Sequence, residues 1–228
     1  MLKFELFGIP ITVEPWFWAT SFFLGNGFHY LQMGNMLPVA VWMVVVFISI
    51  LIHELGHALV GRKLGGGVCW IRLWAFGGLA HQQGARFNQS SKAKMIAAGP
   101  VAGLALYALV SLIAIALWPT NRVGLDLVLT ASTLWLYEPN NPELLQLIRE
   151  TPMKTHVFIQ FIWVNLFWSL VNLLPVFPLD GGQIAATYMK SSKKMHLLGI
   201  ICGTSFAAIG YLLLNSYFIP MLFGLLAY

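Results

Sequence analysis

The chain has 228 residues, of which 58% are hydrophobic, 14% aromatic and only 9% charged. A soluble domain carries about 25% charged residues, so this composition lacks the polar surface that a water-soluble fold requires. The net charge of +5 does not mark a nucleic-acid binder, because the basic residues cluster beside apolar spans instead of spreading along an exposed face.

The class these properties predict is an all-α polytopic membrane protein, one domain over residues 1–228, with about five or six transmembrane helices and a small membrane-associated β segment. Residues 3–13 (KFELFGIPITV) are rich in β-branched and aromatic side chains, and predict one short interfacial strand that Pro10 confines to a sheet edge. This stretch is no compact apolar signal segment, so no cleavable signal peptide is expected. Trp16 to about Leu31 is a first span, short and interrupted by Gly25 and Gly27. Leu37 to Lys63 is a stronger second span, ended by Arg62-Lys63 and three glycines. The segment 68–88, with Gly77-Gly78 and alternating apolar residues, predicts a hairpin or re-entrant loop.

Ser91 to Trp118 is the third span, and its Gly99-Pro100 and Gly103 offer small surfaces for close helix packing. Residues 119–153 form a mixed connection, in which Asn141-Pro142-Glu143 opens a short amphipathic helix with a cap, a proline and a first-turn acid. The fourth span starts near Thr155 and is interrupted at Pro175, Pro178 and Gly181-Gly182. A fifth runs from about His196 to Leu214, and a short apolar tail, Phe218 to Tyr228, is left open as a crossing. Cys69 and Cys202 stand alone and are read as small buried hydrophobes.

Charge orients these spans. Arg62, Lys63, Arg72, Arg86, Lys92 and Lys94 lie in a segment without a single acid, and Lys190, Lys193 and Lys194 follow the fourth span. Both groups belong on the cytoplasmic side, with the slightly acidic 119–153 connection opposite and the N-terminus cytoplasmic.

Within the second span lies His53-Glu54-Leu55-Gly56-His57. Spacing of i and i+4 places both imidazoles on one helix face, where two neutral nitrogens can bind one Zn²⁺. Glu54 lies beside that face, placed to take a proton from an attacking water. No other charged residue occurs between Val39 and Val60, and ionisable groups in hydrocarbon are a functional hypothesis by default. Catalytic zinc usually has three protein ligands, and Asp180 is the only Asp or Glu from Val157 to Met189. His57 lies six residues before Lys63 and Asp180 ten before Lys190, which in helical rise is roughly 9 and 15 Å from the same membrane face. The two halves of a site can therefore meet. His29, His81, His156 and His196 fall in a loop or at span ends and are read as interfacial.

His53-Glu54-Leu55-Gly56-His57 together with the later Asn172-Leu173-Leu174-Pro175-Val176-Phe177-Pro178-Leu179-Asp180-Gly181-Gly182 resembles the site-2 protease family of intramembrane zinc metalloproteases. FGIPITVEPWFW near the start resembles the first strand and span of its compact members, and the likeness covers most of residues 3–190. The resemblance implies His53, His57 and Asp180 as ligands of Zn²⁺ and Glu54 as the catalytic acid/base. It implies that Asn172 contacts the substrate backbone, for which a helix–helix hydrogen bond is the alternative. It also implies that the loop around Gly77 and Gly78 helps to hold an extended substrate, for which a plain turn is the alternative. The expected substrate is a single-span membrane protein cleaved near the cytoplasmic side of a prokaryotic cytoplasmic membrane, with a regulatory membrane partner also conceivable. Family members often carry Asn where this chain has Gly103, and the chain matches the compact form without PDZ or CBS domains. The rival reading is a non-cleaving zinc-binding scaffold or chaperone of the same fold, against which the intact Glu54 stands. Oligomeric state is not legible.

Overall fold

The computed structural model describes residues 1–133, 141–189 and 192–214. Helices dominate it, accompanied by one four-stranded sheet in the order β1-β2-β3-β4. Residues 3–13 form two strands rather than the single one expected: β1 (Leu2–Leu6) and β2 (Ile9–Val13) make an antiparallel hairpin. Its two turn residues, Phe7 and Gly8, both have positive φ, the backbone that a tight two-residue hairpin demands. β2 is an inner strand, in contrast to the edge that Pro10 suggests. Its parallel pairing with β3 (Val68–Trp74) begins only at Ile11, so the missing Pro10 N–H takes no bond from that ladder. β3 turns back into β4 (Gly77–Gln83).

Between β2 and β3 the chain runs through α1 (Pro15–Leu24), α2 (Gly27–Gln32) and α3 (Leu37–Gly65). The expected first span is thus two short helices, broken where the Trp42 indole occupies the space beside Gly25 and donates to Ser21 O at 2.9 Å. Alternation within the strands sends Ile9, Ile11, Val13, Cys69, Ile71 and Leu73 inward, onto Phe17 of α1 and Ile50, Leu51, Leu55 and Ala58 of α3. This core holds the sheet flat against the middle and C-terminal half of α3.

α4 (Gln89–Leu117) starts at Asn88, whose side chain caps the Ser91 N–H, and contains Pro100 without ending there. It meets α3 where Gly56 lies against Ala98 and Ala102, a contact only small residues allow. The 119–153 connection folds beyond the one predicted helix: α5 (Asn121–Ser132) precedes α6 (Pro142–Glu150), which Asn141 caps. Val123, Leu127, Ala131 and Leu144 pack on Trp118, Ala114 and Ile162 in a second core. α7 (Pro152–Asn172), α8 (Asp180–Tyr188) and α9 (Ser192–Leu214) complete the described chain. The tail from Phe218 to Tyr228 lies outside the described residues.

Among the described residues, α3 and α4 are the two helices long and apolar enough to cross a membrane. At about 1.5 Å per residue, each 29-residue helix is some 43 Å long.

Candidate metal centre

His53 and His57 project from one face of α3, as their spacing requires, and Asp180 arrives from the first turn of α8. Between α7 and α8 the chain is irregular over residues 173–179. Gly181 and Gly182 let it fold back tightly: a Cβ on either would strike the backbone of Leu173 or Val176. That reversal delivers the Asp180 carboxylate to the histidines. His53 Nε2 lies 3.1 Å from His57 Nε2 and 3.1 Å from Asp180 Oδ2, and His57 Nε2 lies 3.3 Å from the same oxygen.

Three lone-pair donors in a triangle with these edges fit a metal ion. Tetrahedral zinc with bonds of about 2.0–2.1 Å sets its ligand atoms about 3.3–3.4 Å apart. The tautomer also fits. His57 Nδ1 lies 3.0 Å from Met95 O, so a neutral ring carries its proton on Nδ1, donates it to that carbonyl and presents the Nε2 lone pair to the centre. All four groups, His53, Glu54, His57 and Asp180, are buried, and carboxylate and imidazole are retained in apolar surroundings only when paired or metal-bound.

Glu54 stands beside this triangle. Ligand atoms of His53, Glu54 and His57 all lie within 4.8 Å of one another. Its side chain is packed against Gly78 of β4, where a Cβ would overlap the Glu54 carboxyl group. In the same way a Cβ on Gly99 of α4 would overlap the His57 ring. Glycine is needed at both places because a side chain of the buried cluster occupies the room that a methyl would take.

Gly77 and Gly78 open β4, which is the terminal strand of the sheet. Gly78 therefore brings this outer strand directly against Glu54. Asn172 ends α7, and its amide donates to Trp168 O within its own helix at 2.9 Å. Asn165, not singled out from the sequence, makes the interhelical bond instead: its Nδ2 donates to Ser49 Oγ of α3 at 2.9 Å and to Phe161 O at 2.8 Å. Its polar side chain within an apolar span was the available signal. The sequence marks Gly99 as a packing surface, and nothing local announces its contact with His57, which depends on the crossing of α3 and α4.

Residues 41–212 match the family described as Peptidase family M50. Rip3 of Mycobacterium tuberculosis is 29% identical over 163 residues, covering 69% of this chain and 34% of that protein. A zinc metalloprotease of Methanocaldococcus jannaschii is 29% identical over 225 residues, covering 98% of this chain and 53% of its own length. The chain thus spans about a third to a half of these relatives. The solved site-2 protease from Methanocaldococcus jannaschii superimposes with a TM-score of 0.56 at 21% identity, over 99% of this chain and 91% of that one, a likeness of fold.

Proposed function

The chain belongs to peptidase family M50, and from that premise we propose that it is a zinc-dependent intramembrane endopeptidase that cleaves single-span membrane proteins near the cytoplasmic side of the bilayer. The observation that carries this reading is the 3.1–3.3 Å triangle of His53, His57 and Asp180 with Glu54 beside it. A Zn²⁺ held by these three residues would supply Lewis acidity and lower the pKa of water at neutral pH. Glu54 takes the proton of the attacking water and delivers it to the leaving amine nitrogen. Its packing on Gly78 leaves the carboxyl little freedom to turn away. An extended substrate added to the β4 edge at Gly77 and Gly78 would run past Glu54, and strand addition supplies the backbone hydrogen bonds that an unwound helix has lost. Asn172 has one amide hydrogen beyond its Trp168 bond, available to the same substrate backbone.

The whole described chain acts as one domain in this reading, multi-pass, with about five or six spans and the basic segment 62–94 facing the cytoplasm. Cleavage of a single-span reporter by the purified protein, with Glu54→Gln in parallel, tests it. Removing the base should lower turnover by about 10²–10⁴-fold while zinc content stays at the wild-type level. Equal cleavage by both proteins refutes the mechanism. Zinc retention without cleavage by the wild type supports the non-cleaving scaffold instead.

A further inference from the structure

His53 and His57 are not held alike. His57 Nδ1 meets Met95 O, whereas His53 Nδ1, which is buried, has no hydrogen-bond partner. A metal-binding imidazole ordinarily donates its second N–H to an oxygen that fixes tautomer and ring orientation.

A second orphan lies at the same level. Ser169 of α7 is fully buried and its Oγ has no partner. Hydroxyls inside apolar helices usually satisfy themselves on the carbonyl four residues back, as Thr20, Thr130, Thr133, Thr151, Thr187 and Thr204 do here. Ser169 does not.

Register brings the two together. α3 and α7 run parallel: Trp42 packs on Trp163, with ring centroids 5.9 Å apart, and Ser49 bonds Asn165 further along both helices. One more turn, four residues or about 6 Å on each helix, leads from Ser49 to His53 and from Asn165 to Ser169. α4 locates the pair independently. Gly99 lies against the His57 ring and Gly103, one turn away, against Ser169 Oγ, so one glycine face touches both sides of the centre.

We propose that Ser169 is the positioning residue of His53. Its hydroxyl accepts the His53 Nδ1–H, directly after a change of rotamer or through one buried water, and Gly103 keeps the space it needs. This role rests on the zinc reading above and gives the first ligand the oxygen partner that Met95 O gives the second.

The test measures zinc affinity of the full chain in detergent by competition with a chelating indicator, and the visible spectrum of the Co²⁺-loaded protein. Ser169→Ala should weaken zinc binding by about 10–100-fold, the usual effect of losing such a partner, and shift the Co²⁺ bands. Ser169→Thr, which restores a hydroxyl, should recover most of the loss. Gly103→Ala, which crowds the hydroxyl without removing it, should weaken binding as well. Ser111→Ala removes another buried, unpartnered hydroxyl of α4 and should change neither readout. Wild-type affinity and spectrum in Ser169→Ala overturn the positioning role, as does an equal loss in Ser111→Ala. A wild-type protein that holds no zinc overturns the metal reading itself, and this inference with it.

Discussion

Helices α3 and α4 are both 29 residues long, and their most apolar stretches have mean hydropathies of 2.2 and 2.3, yet 44% of that stretch is buried in α3 and 22% in α4. Hydropathy makes both able to cross a bilayer. What separates them is where each helix puts its polar and its small side chains. α3 places Ser49, His53 and His57 along one stripe with Glu54 beside it, and each must meet a polar partner away from lipid. It is therefore surrounded, by the sheet, α4, α7 and the Asp180 turn. α4 presents Gly99, Gly103, Ala98 and Ala102 to this centre, and leaves Val101, Leu109, Leu112 and Leu117 exposed. One helix carries the candidate metal ligands; the other makes room for them.

The sharpest way to break that contrast is on α3. His57→Ala removes one corner of the triangle, and zinc affinity should fall by more than the ~10–100-fold that losing an outer partner costs. Equilibrium dialysis followed by metal analysis reads this directly, and a tightly zinc-loaded variant would strip α3 of its assigned role.

On α4 the effect should be smaller and of a different kind. Gly99→Ala pushes a methyl into the His57 ring, and overpacking of this sort costs roughly 1–3 kcal/mol. Thermal unfolding in detergent should show that loss, accompanied by weakened zinc binding because the displaced ring is a proposed ligand. Should stability drop while zinc affinity holds, α4 would be a packing partner only.

Smallest of all is the outer face of the same helix. Leu112 is 65% exposed, and Leu112→Ala should stay within about 0.5 kcal/mol of wild type, as substitutions away from packed features do. A large destabilisation there would mean that this face is covered.

Legibility from sequence followed the range of the interactions. The HExxH pattern declares itself because i and i+4 are neighbours on any α-helix, whatever the tertiary fold. Asn141, predicted as a helix cap, accepts from the Glu143 and Leu144 N–H groups as local capping geometry dictates. Pro10 misled, because the rule that sends proline to an edge concerns a hydrogen bond, and the β3 ladder starts one residue later. α5 is not legible in the sequence because it is short and its apolar face is buried against Trp118 and Ile162, so no lipid-length run announces it.

By itself the sequence determined that two long apolar helices exist, that one of them carries two imidazoles and a carboxylate on and beside a single face, and that Asp180 was the acid available to complete the set. Those are consequences of composition and of helical periodicity, both local. The tertiary structure decided the rest. It set the 3.1–3.3 Å edges of the triangle, brought Gly99 to His57 and Gly78 to Glu54, and paired Asn165 rather than Asn172 with α3. Those that join different elements link residues from 24 positions apart, Glu54 and Gly78, to 127 apart, His53 and Asp180, and only the crossing of packed helices determines which side chains then share a space.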